Sequence, residues 1–518
     1  MLAEWRAVLY PSAVTLRRVK VDYAALAILI LAAILRLWAL DMRPPHFDEG
    51  VNGWFADQMT ANGYYRYDPT NYHGPLHFYA VFVSQTVLGR NLWALRLPAV
   101  LAGLLAVWAV LRLREFFGVR AARLAALAMA VSPVFTYYSR YSIHESWLVF
   151  FLLLILAGIL GLWERGTRRD LWVLAAGLTG AVLTKETYAI HIACFLLAFA
   201  VLRLWEFVLP AVPMAVKAWT LRDGISATTA SLIVIFAFYS GFFLDVGAVA
   251  GLWQTFAAWF QTGVEAGGHE KPSYAWGPLN FYWIALMARN EWAALAGLAA
   301  CFWFVGRTDA RIRYVAIYGG GALLAYSIIP YKTPWCALAL LWPFYLTAAA
   351  ASARLPRWAA WLLWAVVLGH GLWSSARLNF FDFDRDGEYY AYVQTYRELD
   401  EAVDPILQKA VRDPQFYHER GDVILESYYP LPWLLGDFTN VGYYEADDLP
   451  PVLDAAFVLT TKADETMVAG ALSGAYYRRE FRLRSGVGDC VAFFRHADFR
   501  EIFGGPPDVI GTAGGSAD

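Results

Sequence analysis

The sequence predicts a polytopic α-helical membrane protein with about eleven transmembrane helices and a C-terminal α/β domain outside the membrane. Composition is the first reason, because the 518 residues are 59% hydrophobic and only 17% charged, with a mean hydropathy of +0.41. Apolar runs close to the length of a membrane-crossing helix also recur up to residue 375. Beyond residue 377, charged and apolar residues interleave as they do in soluble domains.

The first apolar run extends from Asp22 to Leu40 and is followed by a connection over residues 41–75. Gly, Pro, Asn and Tyr are frequent in this connection, which excludes a long continuous helix and indicates a loop with short surface helices around Gly50 to Asn62. Because no small-residue cleavage site follows the first run, we interpret it as a retained span rather than a signal peptide. Further apolar runs lie near residues 76–111, 121–136, 145–163, 171–184, 187–205, 226–244, 279–305, 311–329, 333–351 and 357–375.

The connections between these runs alternate in charge, and the alternation predicts the topology. By the positive-inside rule, the arginine-rich connections and the N-terminus are cytoplasmic. An odd number of spans then places the 41–75 loop and the C-terminal domain on the outer side of the plasma membrane. The basic set is Arg112, Arg114, Arg120, Arg123, Arg165, Arg168, Arg169, Arg203, Lys217, Arg222, Arg307, Arg311, Arg313, Arg354 and Arg357. The other connections hold isolated cations such as Arg140, Lys185, Lys271 and Lys332.

The composition divides the chain into a transmembrane domain over residues 1–377 and an extracytoplasmic α/β domain over residues 378–518. In the second domain, Gly387 to Val403 and Asp404 to Val411 are predicted to be helical. Gly504 to Asp518 is too rich in Gly and Pro to be well ordered. Strands bounded by turn residues are predicted over Asp422 to Glu426, Ala456 to Thr460 and Cys490 to Phe494.

Charge and cysteine content give no indication of a nucleic-acid-binding protein or of a protein built on disulfides or a metal cluster. The net charge is −2, so nothing in the balance calls for nucleic acid as a partner. Three of the four cysteines lie within apolar runs and the fourth lies in the C-terminal domain, so neither a disulfide framework nor a metal cluster is indicated.

The residues that suggest a function begin with Asp48 and Glu49, in the stretch from Arg43 to Gly50 just after the first span. A carboxylate held near hydrocarbon is costly without a partner, so an acidic pair at the membrane surface predicts a functional site. The alternative is that both acids are solvated loop charges, as many acids beside a membrane span are.

The other unusual polar residues are predicted to lie on the same outer face. Each has a structural alternative: interfacial histidines, a turn ion pair at Lys185 and Glu186, a snorkelling side chain at Arg140, or a solvated cluster at 269–271. Their joint occurrence on one face nevertheless indicates a site for an anionic substrate with a carboxylate base nearby. They are His73, His77, Arg140, Tyr141, His144, Glu145, Lys185, Glu186, His269, Glu270, Lys271, Tyr331 and Lys332.

At these residues the sequence resembles the GT-C superfamily of membrane glycosyltransferases, which use polyprenyl-phosphate sugars. The superfamily includes protein O-mannosyltransferases, lipid A aminoarabinose transferases and oligosaccharyltransferases, and the chain is most similar to a flippase-associated bacterial and archaeal branch. The resemblance covers most of residues 22–351. It rests on Phe47-Asp48-Glu49, Gly74-Pro75-Leu76-His77-Phe78-Tyr79, Ala94-Leu95-Arg96-Leu97-Pro98, Ser132-Pro133, Ser139-Arg140-Tyr141 with Glu145, and Pro330-Tyr331-Lys332-Thr333-Pro334-Trp335.

The resemblance implies inverting transfer of a sugar from a polyprenyl-phosphate donor to an acceptor glycan, lipid or protein on the extracytoplasmic face. Asp48 would be the general base and Glu49 would orient it, while Arg140, Lys332 and Lys185 would bind the donor phosphate. A supporting role at the substrate or acceptor falls to His73, His77, Tyr141, His144, Glu186, His269, Glu270, Lys271 and Tyr331.

The sequence departs from this pattern at three places. Many relatives have an Asp where this chain has Glu145 preceded by His144, so a Mg²⁺ or Mn²⁺ ion held by Asp48 and Glu145 stays an open alternative. The loop from Gly267 to Pro272 and the C-terminal domain are not features that the resemblance carries over from the better-studied transferases.

Two other functions remain open from the sequence. A lipid or glycolipid flippase or transporter would place ionisable groups in the middle of its spans and would show an internal repeat. A non-catalytic assembly factor of a glycan pathway would keep the fold without the activity. The placement of the polar residues discriminates between them, because a transferase needs Asp48, Arg140 and Lys332 around one cavity.

Overall fold

The computed structural model describes residues 22–207, 214–265, 275–276, 279–304, 309–450 and 452–510. Up to residue 380 the described chain is helical apart from its connections, two 3₁₀ turns at Val246–Ala250 and Pro334–Cys336, and a short antiparallel pair of β1 (Ala275–Trp276) and β2 (Leu279–Asn280). The helices are α1 (Tyr23–Leu37), α2 (Phe47–Asn62), α3 (Leu76–Leu88), α4 (Leu92–Arg112), α5 (Arg114–Phe117), α6 (Val119–Val131), α7 (Pro133–Ser139), α8 (Glu145–Glu164), α9 (Arg168–Val182), α10 (Tyr188–Trp205), α11 (Leu221–Tyr239), α12 (Gly251–Glu265), α13 (Tyr282–Asn290), α14 (Trp292–Phe304), α15 (Ala310–Ile328), α16 (Ala337–Ser352) and α17 (Arg357–Phe380).

Within the described ranges, six helical segments are long and apolar enough to cross a membrane, so the chain is a multi-pass membrane protein. The pair α6 and α7, bent by 59° between Val131 and Pro133, makes up to seven. Three shorter apolar helices, α1, α3 and α14, accompany them. The count of about eleven spans therefore stays a prediction. The run predicted over 76–111 is two helices, because the chain leaves the helical conformation at Gly89.

The helices of this domain share one large apolar core, to which α4, α6, α8 and α16 contribute many fully buried side chains. Small residues allow close approach between neighbouring helices. A Cβ atom at Gly158 of α8 would lie 2.6 Å from the backbone of Leu174 in α9, and one at Gly177 of α9 would lie 2.7 Å from the backbone of Ile155. Glycine is therefore required on both sides of the α8–α9 contact.

The acidic stretch is helical from Phe47 onward, which corrects the prediction that Asp48 and Glu49 lie on a loop. Helix α2 begins with a capping box: the His46 ring accepts the N–H of Asp48, and the Glu49 carboxylate accepts the N–H of His46. It ends at Gly63, whose φ of 82° gives the left-handed conformation that closes many helices. Successive residues on a helix point in different directions, so Asp48 and Glu49 cannot face one site together.

Residues beyond α17 form a mixed sheet covered by helices on both sides. The strands are β3 (Gly421–Ile424), β4 (Val441–Tyr444), β5 (Phe457–Thr461), β6 (Ala475–Arg482), β7 (Asp489–Arg495) and β8 (Val509–Ile510), in the order β4-β3-β5-β7-β6-β8. Strands β3, β4 and β5 are parallel, and the remaining pairs are antiparallel. The helices are α18 (Asp400–Arg412), α19 (Leu431–Leu434), α20 (Glu465–Ala471) and α21 (His496–Phe503).

Alternate residues of β5 belong to the two cores on either side of this sheet. Phe457 and Leu459 pack on one side and Val458 on the other, as the two-residue period of a strand requires.

Three strands of this domain were predicted to within a few residues, whereas β4, β6 and β8 were missed. The predicted helix over 387–403 is wrong at its start, because the chain is in turns and bends up to residue 396. Strand β8 also orders part of the Gly-rich tail; residues 511–518 lie outside the described ranges.

The C-terminal domain is seated on α2. A Cβ atom at Gly50 would lie 2.6 Å from Cα of Pro430, and one at Gly53 would lie 2.3 Å from the Trp433 ring, so only glycine permits this contact. Arg90 strengthens it, because its guanidinium pairs with Asp57 of α2 at 3.0 Å and lies over the Trp433 ring. The position of the acidic motif therefore depends on both domains.

The basic connections gather at the far end of the helices. Helix α8 connects the two ends: it starts at Glu145 and finishes at Glu164, which pairs with Arg311 at 2.9 Å. A helix of this length spans about 30 Å. At the same end, Arg165 pairs with Glu115 at 3.1 Å. The acidic motif and the arginine-rich connections thus lie at opposite ends of the helical domain.

Candidate functional site

A cavity of about 840 Å³ lies where the helical domain meets the C-terminal domain. Its walls come from the starts of α2 and α8, the segment 71–73, the α9–α10 turn, the connection before α16, the last turns of α12, and three segments beyond α17 at residues 392–393, 427 and 484–486. Its polar lining residues are His46, Asp48, Asn52, Asn71, Tyr72, His73, His144, Glu145, Lys185, Glu186, Thr187, Thr262, Tyr326, Tyr331, Tyr392, Ser427, Arg484 and Ser485.

Asp48 presents a carboxylate to this cavity, and its side chain is 36% exposed. Among the described residues, none donates a hydrogen bond to its carboxylate oxygens. The His46 ring lies close by, with its Nδ1 3.9 Å from Oδ2 of Asp48. That Nδ1 accepts the Asp48 N–H at 3.0 Å, and Nε2 donates to the carbonyl of Tyr392 at 2.9 Å, so the ring is neutral. Burial lowers the pKa of His46 and favours the same neutral form. The carboxylate oxygens of Asp48 are therefore available to a ligand in the cavity.

Glu49 points away from the cavity and is fully buried. Both of its oxygens accept from Arg96 of α4 at 2.8 Å, and Oε1 also accepts the N–H of Ser142 at 2.9 Å. Burial raises the pKa of Glu49, but the Arg96 charge and these hydrogen bonds outweigh it and hold the pKa below its usual value. The predicted catalytic role of Glu49 is thus replaced by a positioning role, because its carboxylate fixes the start of α2 beside α4.

Lys185 and Glu145 form a buried ion pair on the cavity wall. Burial alone would lower the pKa of Lys185, but the Glu145 and Glu186 charges raise it well above its usual value, so the ammonium stays charged. Glu186 accepts from, or donates to, His73 Nδ1 at 3.0 Å, depending on protonation. Four of the predicted site residues therefore meet at one wall.

The segment before α3 brings His73 to this wall. The N–H of Gly74 donates to Thr184 at 3.1 Å, the N–H of Leu76 donates to Leu183 at 3.0 Å, and His73 forms a β-bridge with Lys185. A Cβ atom at Gly74 would lie 2.3 Å from the Leu183 carbonyl, so a larger residue would separate the two segments.

Three histidine rings pack in a row from this wall inward. The His144 ring lies 4.6 Å from His73 and 4.7 Å from His77, measured between centroids. His144 lines the cavity, whereas His77 lies behind it and bonds Ser142 Oγ at 3.0 Å through Nε2. Tyr141 is also buried outside the cavity, where its ring packs against His46 at 5.0 Å. His77 and Tyr141 support the wall and do not face a substrate.

Arg140 does not line the cavity, which corrects its predicted role at the donor phosphate. The guanidinium is fully buried and donates to the carbonyls of Arg36 at 3.2 Å, Trp38 at 2.6 Å and Ala39 at 2.6 Å. Carbonyls at the end of a helix lack intrahelical donors, and Arg140 satisfies those of α1. These hydrogen bonds join the end of α1 to the end of α7.

Lys332 is likewise turned away from the cavity, although its neighbour Tyr331 lines it. The Lys332 ammonium donates to the carbonyls of Ile329 and, at 3.3 Å, Ser327, at the end of α15. Lys332 therefore caps a helix rather than facing a ligand.

The predicted site residues His269, Glu270 and Lys271 lie outside the described residues.

Three contributors to the site were missed by sequence reasoning. His46 and Arg96 hold the acidic motif in place, and Arg484 lines the cavity from the C-terminal domain. A capping-box pattern with His at the N-cap and Glu three residues later was available as a signal for His46. No local signal marks Arg484, because its position depends on how the two domains dock.

An apolar wall completes the cavity and includes Trp259, Phe260 and Val264 of α12, together with Ile190 and Ile328. Phe260 and Val264 are largely exposed, and so is Trp253 of the same helix, which does not line the cavity. Helix α12 thus presents apolar side chains both to the cavity and outside it. A chain of hydrocarbon fits such a wall better than a polar ligand does.

Two comparisons of sequence find similarity to proteins described as mannosyltransferases. Residues 72–220 match the family described as dolichyl-phosphate-mannose-protein mannosyltransferase. The chain is also 30% identical over 164 residues to "Putative mannosyltransferase YycA" of Bacillus subtilis (strain 168), and 28% identical over 168 residues to "Putative mannosyltransferase YkcB" of the same organism. The matched region spans 30% of this chain and 23% of each relative.

Among solved structures, ArnT from Cupriavidus metallidurans bound to undecaprenyl phosphate superposes with a TM-score of 0.62 over 90% of this chain and 97% of ArnT, at 16% identity. The chain has the GT-C fold. The apo oligosaccharyltransferase of Archaeoglobus fulgidus agrees, with a TM-score of 0.51 over 88% of this chain and 73% of that protein at 13% identity. The fold that the resemblance implies is therefore confirmed.

Proposed function

We propose that this GT-C protein transfers a sugar from a polyprenyl-phosphate donor to an acceptor hydroxyl in the cavity. The observation that carries the proposal is that an unpaired carboxylate, Asp48, and a charged ammonium, Lys185, line one cavity that also has an apolar wall. Support comes from the match to a dolichyl-phosphate-mannose transferase family and from the likeness to ArnT, whose structure holds undecaprenyl phosphate.

In this reaction Asp48 is the general base. The acceptor oxygen forms a bond to the anomeric carbon while its proton passes to the Asp48 carboxylate, and the bond from that carbon to the phosphate oxygen breaks with its electron pair. A single displacement inverts the anomeric configuration. Because phosphate leaves as an anion, no general acid is required. A correctly placed base contributes roughly 10²–10⁴-fold to the rate.

The charge that develops on the leaving phosphate requires fixed cations nearby. Lys185 supplies one, since its ammonium is held at the wall by Glu145 and its pKa is raised. Preorganised charge in a site that excludes water is worth more than the same charge in solution. The polyprenyl chain enters along the apolar wall at α12 and stays in the bilayer.

We place the cavity and the C-terminal domain on the extracytoplasmic side of the plasma membrane. The support is the positive-inside rule, because the arginine-rich connections lie at the opposite end of α8. The acceptor is a glycan, lipid or protein that reaches the cavity from that side. A flippase is disfavoured, since the charged lining residues lie at helix ends rather than along a path through the spans.

A Mg²⁺ or Mn²⁺ ion does not fit the described site. Within the described ranges no group of three or more His, Cys, Asp and Glu side chains is arranged to hold a metal. Glu145 is already neutralised by Lys185, whereas both metals prefer several oxygen ligands. We therefore expect EDTA to leave the initial rate of sugar transfer unchanged. A loss of rate that added Mg²⁺ or Mn²⁺ restores would contradict this expectation.

The proposed function is tested by offering the purified protein a panel of polyprenyl-phosphate monosaccharides with crude membrane lipids, glycans and peptides as acceptors. We expect one donor to be consumed, with release of polyprenyl phosphate and formation of an inverted glycoside. If no donor in the panel binds or is consumed, the proposal fails and the assembly-factor alternative is favoured.

The structure also separates the two lysines that the sequence grouped together. We expect Lys185→Met to weaken donor binding about 10-fold or more, because a hydrogen bond to a charged group contributes roughly 1.5–3 kcal/mol. Lys332→Met should lower the melting temperature while leaving donor affinity unchanged, since Lys332 caps α15 and does not line the cavity. The two variants are compared by donor titration in nanodiscs. Equal losses of affinity would contradict the assignment of Lys332 as a helix cap.

A further inference from the structure

Arg484 brings a second fixed cation to the cavity, and it comes from the C-terminal domain. The side chain is only 7% exposed and lines the cavity next to Ser427 and Ser485. Its guanidinium lies 4.8 Å from the centroid of the Phe47 ring, which belongs to the first residue of α2. Arg484 therefore sits beside the residue that precedes Asp48.

The hydrogen bonds of Arg484 fix its position without neutralising it. Nε donates to the carbonyl of Tyr429 at 3.3 Å, one terminal nitrogen donates to Ser427 Oγ, and the other donates to the carbonyl of Ser485 at 3.4 Å. A guanidinium has five N–H groups, so two remain, one on each terminal nitrogen. Such a pair matches the geometry of a bidentate contact with phosphate.

Arginines on the neighbouring strands β6 and β7 differ from Arg484 in having a carboxylate partner. Arg478 pairs with Glu465, Arg482 with Glu398 at 2.6 Å, and Arg495 with Glu419 at 2.8 Å. Arg484, in the part of the chain that the structure describes, has no carboxylate within ion-pair distance. Asp48 influences it electrostatically but does not touch it. A buried cation without a counter-ion is costly, and at a ligand cavity that cost is recovered when an anion binds.

We propose that Arg484 binds the phosphate of the polyprenyl-phosphate donor, so that the C-terminal domain is part of the donor site. This inference rests on the proposed function. Lys185 and Arg484 then hold the phosphate from the helical domain and the C-terminal domain respectively. Because Arg484 stacks on Phe47, the phosphate site and the Asp48 base are fixed by the same contact. The site is complete only when the C-terminal domain is seated on α2.

The test measures binding of two probes, undecaprenyl phosphate and undecaprenol, to the full-length protein in nanodiscs. We expect Arg484→Gln to weaken undecaprenyl phosphate about 10- to 100-fold and to leave undecaprenol unchanged, since only the phosphate contact is lost. Arg484→Lys should retain part of the affinity, because one cation remains without the bidentate fork. Arg482→Gln is the matched control: it removes an arginine two residues away that is paired with Glu398 and does not line the cavity.

Each outcome decides between the inference and its alternatives. If wild type prefers undecaprenyl phosphate and Arg484→Gln keeps that preference, the inference is wrong and the proposed function stands. If wild type does not distinguish the two lipids, the proposed function itself fails. If Arg484→Gln weakens both lipids equally and lowers the melting temperature, Arg484 only joins the two domains, and the inference is overturned. A melting temperature equal to that of Arg482→Gln, with selective loss of the phosphate lipid, supports it.

Discussion

Replacing Asp48 by Asn is expected to lower the rate of sugar transfer by roughly 10²–10⁴-fold while leaving donor binding intact. The substitution keeps the size of the side chain and removes only its ability to accept a proton. Donor binding is expected to persist because the phosphate contacts belong to other residues, Lys185 among them. The rate is measured by single-turnover consumption of the donor, and binding is measured separately by titration.

Asp41→Asn is the matched control for this experiment. Asp41 lies in the connection just before α2, the helix that carries Asp48; it is exposed and does not line the cavity. We expect it to transfer sugar at nearly the wild-type rate. If Asp48→Asn transfers as fast as this control, Asp48 is not the base, whatever the donor is.

The second large effect is expected at the buried pair of Glu49 and Arg96. Arg96→Gln should destabilise the protein by about 3–5 kcal/mol, because removing one member of a buried ion pair leaves the other charge without a partner. Arg96 also donates to the carbonyls of Leu40 at 2.7 Å and Pro44 at 3.1 Å, so the connection before α2 loses its anchor as well. The loss is measured as a fall in the unfolding free energy in detergent.

The pair of Arg203 and Glu206 at the end of α10, in which the arginine side chain is 45% exposed, provides the control. Arg203→Gln is expected to change stability by less than about 1 kcal/mol, as surface ion pairs usually do. Arg96→Gln should also lower the activity of the protein that remains folded, because the pair positions the start of α2 and therefore Asp48. Equal destabilisation by the two substitutions would show that the buried pair does not anchor the motif.

The buried pair of Glu49 and Arg96 also predicts how the stability of the protein depends on pH. The folded-state pKa of Glu49 lies below its unfolded value, so its contribution is fully present above the ordinary glutamate pKa and is lost as the pH falls through the folded value. The stability difference between wild type and Glu49→Gln should therefore shrink in acid. Melting curves of both proteins across the acid range measure it, and a difference that grows as the pH falls would contradict the assignment.

The sequence could predict which residues share one end of the helices, because the positions of apolar runs and charges set the side on which each connection emerges. Asp48, His73, His144, Lys185 and Glu186 were grouped in this way, and the structure brings them to one cavity. Knowing the end of the helices at which a residue lies does not show which way its side chain points, however. Arg140 and Lys332 emerge at the same end but turn toward helix-terminal carbonyls, and only the packing of α1 and α15 shows that.

The acidic pair shows a second limit of sequence reasoning. The Pro and Gly residues around it favoured a loop, and a loop would have allowed both acids to face the site. The capping box at His46 and Glu49 instead starts a helix, which sends one carboxylate to the cavity and the other to Arg96. Tertiary contacts decide this outcome, since the partners of Glu49 lie on α4 and in the segment before α8.

The contribution of the C-terminal domain could not be predicted, because it depends on contacts between residues far apart in the chain. Gly50 and Gly53 allow the domain to approach α2, and that approach carries Arg484 to the cavity. Neither glycine has a positive φ, so neither has a local conformational signature. That glycine is required at both positions becomes apparent only when the positions of Pro430 and Trp433 are known.

The most direct test of the account is a cryo-EM map of the full-length protein in nanodiscs with undecaprenyl phosphate. The account predicts phosphate density inside the cavity, within hydrogen-bond distance of the Lys185 ammonium and the Arg484 guanidinium, with the lipid chain along α12. Phosphate density beside Arg140 or Lys332, with the cavity left empty, would contradict it.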